Sequence, residues 1–222
     1  MCPPLFAQNL KTYDQKLSNT INFKMVAIPA GKFQIGSQSI LAGTDETPVK
    51  EIKLSAFSME EHEVTFEEWE YACKSANAQD IEPEDLKAYA YSKENSGGKF
   101  HHVKNKKPNG WGLYDMLGNL SEWTLDQYNP AAYASMAAKD PMTTPGAKNP
   151  WTVRGGSYLD VENALRCSNR IPSEVKWNQR DPQVPKRRWW LTDGMFVGFR
   201  VVRPFVQPSK EEIDKFYSLY LK

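Results

Sequence analysis

Between Asn109 and Trp123 the chain reads Asn-Gly-Trp-Gly-Leu-Tyr-Asp-Met-Leu-Gly-Asn-Leu-Ser-Glu-Trp, which sets Asp115, Asn119 and Glu122 inside an otherwise apolar run. Carboxylates drawn into such surroundings need a partner, and a hard cation such as calcium is one. Hydrogen bonding in a satisfied turn of a Trp-rich core is the other, and it is the commoner fate of buried polar groups. Neither helix period nor strand alternation fits the stretch. Gly110, Gly112 and Gly118 point instead to turns with unusual φ beside packed side chains.

A second concentration of chemistry lies in the C-terminal third. Arg154, Arg166, Arg170, Arg180, Arg187 and Arg188 stand there with Trp177, Trp189 and Trp190. Arginine with aromatic rings suits the recognition of peptides, sugars or carboxylates. The alternative is bracing, in which the arginines pair with internal acids while the Trp rings plug the core. Bracing is favoured for Arg154 and Arg200, which fall in strand-like segments. Strand alternation puts one ring of Trp189 and Trp190 inside and the other outside. The other chemistry-bearing residues are sparse. Cys2, Cys73 and Cys167 are odd in number and far apart, with neither a disulfide framework nor zinc spacing. His62, His101 and His102 are the three histidines, and a three-histidine iron site is not expected of them because the adjacent His101 and His102 point different ways in extended chain.

The elements that would position these residues are short. Residues 1–22 are polar and unpatterned, an arm lying on the domain. Phe23–Ile28 and Lys32–Gly36 read as a hairpin around Pro29-Ala30-Gly31, and Val49–Phe57 as a further strand. Phe66–Ala76 is a helix with Thr65 as N-cap and Glu68 completing a capping box, its buried face being Trp69, Ala72, Cys73 and Ala76. A short helix is possible within Pro83–Ala90. Trp151–Tyr158 and Phe196–Val202 read as strands, and Asn129–Pro150 and Asn163–Pro185 as loops. Ser209-Lys210-Glu211-Glu212 opens a terminal helix whose Ile213, Phe216, Tyr217 and Tyr220 form one stripe. Short strands, long irregular loops and few helices define an α+β domain.

The chain has 222 residues, 40% of them hydrophobic and 25% charged, which fits one soluble globular domain with extensions. A net charge of +1 gives no reason to expect nucleic acid or an anionic membrane. No run reaches the roughly 18 apolar residues of a membrane span. Met1–Gln8 is not a complete signal peptide, but Leu5-Phe6-Ala7-Gln8 has the character of the tail of one, so the expected location is periplasmic or extracellular.

Gly112–Trp123, Arg154-Gly155-Gly156-Ser157-Tyr158 and Gly198-Phe199-Arg200-Val201-Val202, preceded by Met25–Phe33, together resemble the formylglycine-generating enzyme (sulfatase-modifying factor) family in order and spacing. The resemblance covers Met25 to Pro204. It implies an α+β, C-type-lectin-like fold with much irregular loop, spanning 23–204, between an arm (1–22) and an added C-terminal helix (205–222). The family enzyme oxidises a sulfatase cysteine with two copper-binding cysteines, and the matching positions here are Asp160 and Leu165, neither a soft ligand. The family's calcium ligands fall on the side chain of Asp115, the carbonyls of Gly118 and Leu120, and the carboxylate of Glu122. In some relatives the cysteine at position 73 pairs with one at position 201, which is valine here, so Cys73 is expected free. Relatives carry two helices where Glu63-Val64-Thr65 here runs straight into Glu68-Trp69-Glu70-Tyr71-Ala72, so a family segment is missing. The family's substrate groove implicates Arg166, Arg170, Trp177, Trp189 and Trp190 as ligand-binding.

Three functions stay open on this reading. One is a non-catalytic binding or assembly module, stabilised by calcium, with a protein or glycan partner and possible oligomerisation through the C-terminal helix. The second is an oxidase or other metal-dependent enzyme of the family, although copper lacks its thiols. The third is a structural subunit of a larger assembly.

Overall fold

The computed structural model describes residues 10–16, 22–60, 66–75, 85–143, 146, 150–178 and 194–220. Thr65, Arg180, Arg187, Arg188, Trp189 and Trp190 lie outside them, so the N-cap and the Trp-pair expectations fall on residues not described.

Ten short strands make three sheets. β1 (Tyr13–Lys16), β2 (Asn22–Ile28), β5 (Phe57–Glu60) and β10 (Val202–Pro204) form one, in the order β1-β2-β5-β10. β3 (Gly31–Ile35) and β4 (Lys50–Leu54) form a second. β6 (Ser121–Gln127), β7 (Trp151–Arg154), β8 (Arg170–Pro172) and β9 (Val197–Gly198) form the third, in the order β8-β7-β6-β9. All pairings are antiparallel except β6 with β9. Four helices complete the described chain: α1 (Phe66–Lys74), α2 (Leu86–Tyr89), α3 (Ala132–Ser135) and α4 (Lys210–Tyr220). Few helices among many strands make it an α+β fold.

Several expectations change in detail. β2 and β3 do not form a hairpin: β2 pairs with β1 and β5, and β3 with β4. The chain changes sheets at Pro29-Ala30 because Tyr71 is wedged there, its hydroxyl donating to the Pro29 carbonyl at 3.2 Å. Any Cβ on Gly31 would stand 2.1 Å from that hydroxyl. The closing strand divides in the same way, β9 and β10 joining different sheets, so that Arg200 between them turns inward. Tyr13–Lys16, within the expected arm, is paired in register with Lys16↔Asn22 through Tyr13↔Met25.

The helix α1 is the element described at the shortened segment Glu68-Trp69-Glu70-Tyr71-Ala72. It is buried on all sides rather than along one stripe: Trp69, Glu70, Tyr71, Ala72, Cys73 and Lys74 are each at most 5% exposed. Around it pack Ile28, Ile35, Ile52, Phe57, Leu113, Leu117 and Leu165. Full burial of each such side chain contributes on the order of 1.5–3 kcal/mol.

Candidate functional site

The loop from Gly110 to Leu120 is bent by left-handed backbone at Gly112, Asp115, Gly118 and Asn119, with φ of 82°, 51°, 69° and 60°. Gly118 is required on two counts, since a Cβ there would also lie 2.2 Å from the Tyr91 carbonyl oxygen. Asx residues tolerate this region better than most, and both use the bend. Asn119 clamps the backbone of His101, accepting its N–H at 2.8 Å and donating to its carbonyl at 3.2 Å. Asp115 accepts the Lys104 N–H at 2.8 Å.

Glu122 enters β6 at the end of this loop, where the sequence pattern had shown no strand. Its carboxylate receives the Trp69 indole N–H at 2.8 Å and the Arg200 Nε–H at 2.8 Å to each oxygen. Arg200 also donates to the Tyr114 carbonyl at 2.7 Å. Burial pushes the Glu122 carboxyl above the usual carboxylate range. The charge of Arg200 and the indole bond oppose the rise, and the charge of Asp115 adds to it. Oε1 of Glu122 accepts a single N–H, that of Arg200, and keeps one lone pair for a further donor or a cation. In charge and donor type this fits calcium. Among the described residues no three His, Cys, Asp or Glu side chains converge, so an ion here would rely on the carbonyls of Gly118 and Leu120 as well as Asp115 and Glu122.

Arg154, the β7 partner of Glu122 across the β6–β7 pair, is fully buried over the Trp69 ring. Its Nη2 meets Glu70 at 2.7 Å, its Nη1 donates to the carbonyls of Ser168 and Asn169 at 3.0 and 2.8 Å, and its guanidinium stands 5.1 Å over the Trp69 ring. The rest of the Glu70 carboxylate receives Lys74 Nζ at 2.8 Å, Gly36 N–H at 2.7 Å and the Tyr133 hydroxyl at 2.9 Å. Burial pushes Glu70 up, but Lys74 and Arg154 hold it below the usual carboxylate range. Tyr133 is raised well above the usual phenol value, by burial first and the Glu70 charge second. Arg154 and Arg200 thus brace the core against internal acids, as their places in strand-like segments led one to expect, whereas the roles of Glu70, Lys74 and Tyr133 were not foreseen from sequence. The one visible trace of those roles was the i,i+4 spacing of Glu70 and Lys74 next to Trp69.

The two positions that the family resemblance sets at its copper cysteines are Asp160 and Leu165. The Asp160 carboxylate accepts the backbone N–H and the hydroxyl of Ser157, both at 2.8 Å, and so closes a turn. Leu165 is 3% exposed, and its Cδ2 fills the space where a Cβ on Gly156 would stand. Cys73, expected free, is joined to Cys167 across 94 residues, with Cα atoms 5.6 Å apart. The reason is topological: α1 and the segment before β8 are packed together in the core, a neighbourhood that cysteine spacing does not disclose.

Beside this turn runs a groove of about 360 Å³ lined by Leu41, Gly43, Glu46, Val161, Asn163 and Arg166. Glu46, itself buried, receives Arg166, the Ser168 hydroxyl and the Gly43 N–H. Of the five residues expected to bind a ligand, Arg166 is at the groove. Arg170 is turned inward: it is 3% exposed, donates to the Asn129 and Asp45 carbonyls and stacks over Tyr133 at 4.2 Å. Trp177 is 6% exposed and packs edge-on against Trp123 and Phe196.

The family described as "Sulfatase-modifying factor enzyme 1-like domain" matches residues 12–88 and 66–204. A formylglycine-generating enzyme of Streptomyces coelicolor is 44% identical over 57 residues, which are 26% of this chain and 18% of that enzyme. A serine/threonine-protein kinase pkn1 of Chlamydia pneumoniae is 39% identical over 70 residues, 31% of this chain and 11% of the kinase. The chain thus matches less than a fifth of the length of either relative. Among solved structures, PvdO from Pseudomonas aeruginosa superposes with a TM-score of 0.67 at 16% identity, covering 82% of this chain and 94% of PvdO. Treponema denticola variable protein 1 superposes with 0.66 at 18% identity, covering 87% and 99%. These two likenesses concern the fold.

Proposed function

Since the chain belongs to the family of sulfatase-modifying factor enzyme 1-like domains, we propose that it is a non-catalytic member acting as a binding or assembly module. One observation carries the reading: the two positions that would supply copper thiolates hold a turn-closing carboxylate, Asp160, and a buried leucine, Leu165. A soft Cu(I) site needs sulfur, and the thiol nearest those positions in sequence, Cys167, is committed to a disulfide. The groove bounded by Leu41, Val161 and Arg166 is the natural seat for a protein or glycan ligand. A like stretch within a kinase supports the use of such a domain as part of a larger chain.

Calcium belongs to the same proposal, held by Asp115, Glu122 and the carbonyls of Gly118 and Leu120, where the remaining lone pair on Oε1 of Glu122 and the nearby charge of Asp115 favour a cation. The finer description of the scaffold as C-type-lectin-like belongs here too, and the long loops between short strands support it. A disulfide in the core supports an oxidising location, periplasmic or extracellular. The deciding experiment incubates the purified protein with copper, oxygen and a cysteine-containing sulfatase peptide. The peptide mass should stay unchanged. The mass loss that accompanies formylglycine would overturn the reading.

A further inference from the structure

The stretch between the helix α2 and the signature loop is unlike the rest of the molecule in charge. From Asn95 to Tyr114 it carries Lys99, Lys104, Lys106 and Lys107 with His101 and His102, and no acidic residue. Lys87 joins them in space, since the Lys106 Nζ donates to its carbonyl at 2.6 Å and the Lys107 N–H bonds the Ala88 carbonyl at 2.9 Å. Lys87, Lys99, Lys104 and Lys107 are all exposed. Acids border the segment without entering it: Asp85 and Glu94 are exposed at its edges and the buried Asp115 carboxylate accepts the Lys104 N–H, so the local charge rests on the exposed Lys87, Lys99 and Lys107. The molecule's net charge of +1 conceals this segregation.

Two apolar residues sit among the lysines, in the order Lys99-Phe100-His101-His102-Val103-Lys104. Phe100 is 53% exposed and Val103 54%. The segment is held in a fixed shape. Asn119 clamps His101 at both backbone groups, Asp115 holds the Lys104 N–H, and the His101 ring bonds the Ser96 carbonyl at 2.8 Å. The same ring stacks on Tyr91 at 3.9 Å, with Lys106 Nζ 4.3 Å from the Tyr91 ring. Thus the ordering of this surface is already supplied by the fold, and docking it on a partner costs little further conformational entropy.

We infer that residues 95–107, with Lys87, form a docking surface for an anionic phospholipid bilayer. The lysines meet headgroup phosphates, and Phe100 and Val103 enter the headgroup boundary between them. A soluble polyanion satisfies the lysines equally well but leaves Val103 and most of Phe100 in water. The inference does not depend on the groove or on catalysis.

The test is co-sedimentation with vesicles of phosphatidylcholine alone and of phosphatidylcholine containing about one third phosphatidylglycerol. Binding is expected only to the anionic vesicles, falling as salt is raised. Reversal of exposed charge in a Lys87→Glu, Lys99→Glu, Lys107→Glu triple variant should weaken it at least about tenfold, with the melt unchanged. Phe100→Ser keeps every charge and should weaken it about fivefold. Absence of binding to anionic vesicles, equal binding to both vesicle types, or wild-type binding by the folded triple variant would overturn the inference. So would vesicle binding unaffected by Phe100→Ser and abolished by heparin or polyglutamate, because that pattern marks a surface for soluble polyanions.

Discussion

Glu70→Gln tests the account of the buried network most directly. The carboxylate is fully buried, and within 2.9 Å it meets Lys74, Arg154, Tyr133 and the Gly36 N–H. A carboxamide of the same shape can still accept from Gly36 and Lys74, but its NH2 group then faces the Arg154 guanidinium. Lys74 and Arg154 are left as buried cations without a counter-charge. Breaking a buried pair by removing one member costs about 3–5 kcal/mol. For a domain of this size each kcal/mol shifts Tm by about 2–4 °C, so a fall of about 6–20 °C is expected at pH 7. The pH dependence gives an independent reading. Because Glu70 is held below its ordinary value of 4.5, its contribution is fully present above pH 4.5 and is lost as the pH falls below it. The gap between wild type and Glu70→Gln should therefore narrow in acid. Adding Lys74→Met to the variant removes one stranded cation and should recover part of the loss. Thermal melts by circular dichroism at pH 7 and at about pH 3 measure all three effects. A fall of less than about 2 °C at pH 7 would refute the reasoning, because the network would then be satisfied without its carboxylate.

If calcium is held at Asp115 and Glu122, a chelator should lower Tm, and Glu122→Gln should abolish that response; a chelator-insensitive wild-type melt would remove calcium from the proposal. Reduction of Cys73–Cys167, which closes a span of 94 residues, should cost about 4–5 kcal/mol by chain entropy, measured as the shift in denaturant midpoint with and without reductant. The helix α4 carries Ile213 at 38% and Tyr217 at 52% exposure, and we propose that a partner chain covers them. Deleting residues 209–222 should leave the melt within about 2 °C while reducing the mass seen by light scattering, and unfolding of the truncated protein would show the helix to be part of the core.

Local patterns were legible in the sequence where they depended on neighbours along the chain. The extent of α1, the strand Asn22–Ile28 and the Ser209–Glu212 capping box of α4 all follow from spacing, and the box forms, with reciprocal bonds of 2.7 and 3.2 Å. Left-handed turns at Gly112 and Gly118 follow from glycine placement. What stayed hidden depended on distant pairing. Strand partners of β2 and β3 are chosen by the wedge of Tyr71, which lies 42 residues from Pro29. The Cys73–Cys167 bridge, the Glu46–Arg166 pair and the Asn119 clamp on His101 join segments that no local period connects. Periodicity also gave α1 one buried face, because it cannot anticipate that Glu70 and Lys74 neutralise each other inside the core.

The same residues explain why family membership was easier to read than activity. Trp69 is the common point of three separated blocks. Its indole N–H bonds Glu122 of the Asn109–Trp123 stretch, Glu122 is held by Arg200 of the Gly-Phe-Arg block, and its ring lies under Arg154 of the Arg-Gly-Gly-Ser block. Gly155 belongs to the same contact, since a Cβ there would come within 3.1 Å of the Trp69 ring. Each block therefore supplies one part of a brace around α1, and loss of any part strands a buried charge or donor. Such residues are needed for the fold whether or not the domain performs a reaction. Asp160 and Leu165, where we propose that the family's thiols are replaced, lie outside the brace, one closing a turn and the other in the core. Retained blocks in this chain thus carry information about architecture, and the replaced positions carry the information about chemistry.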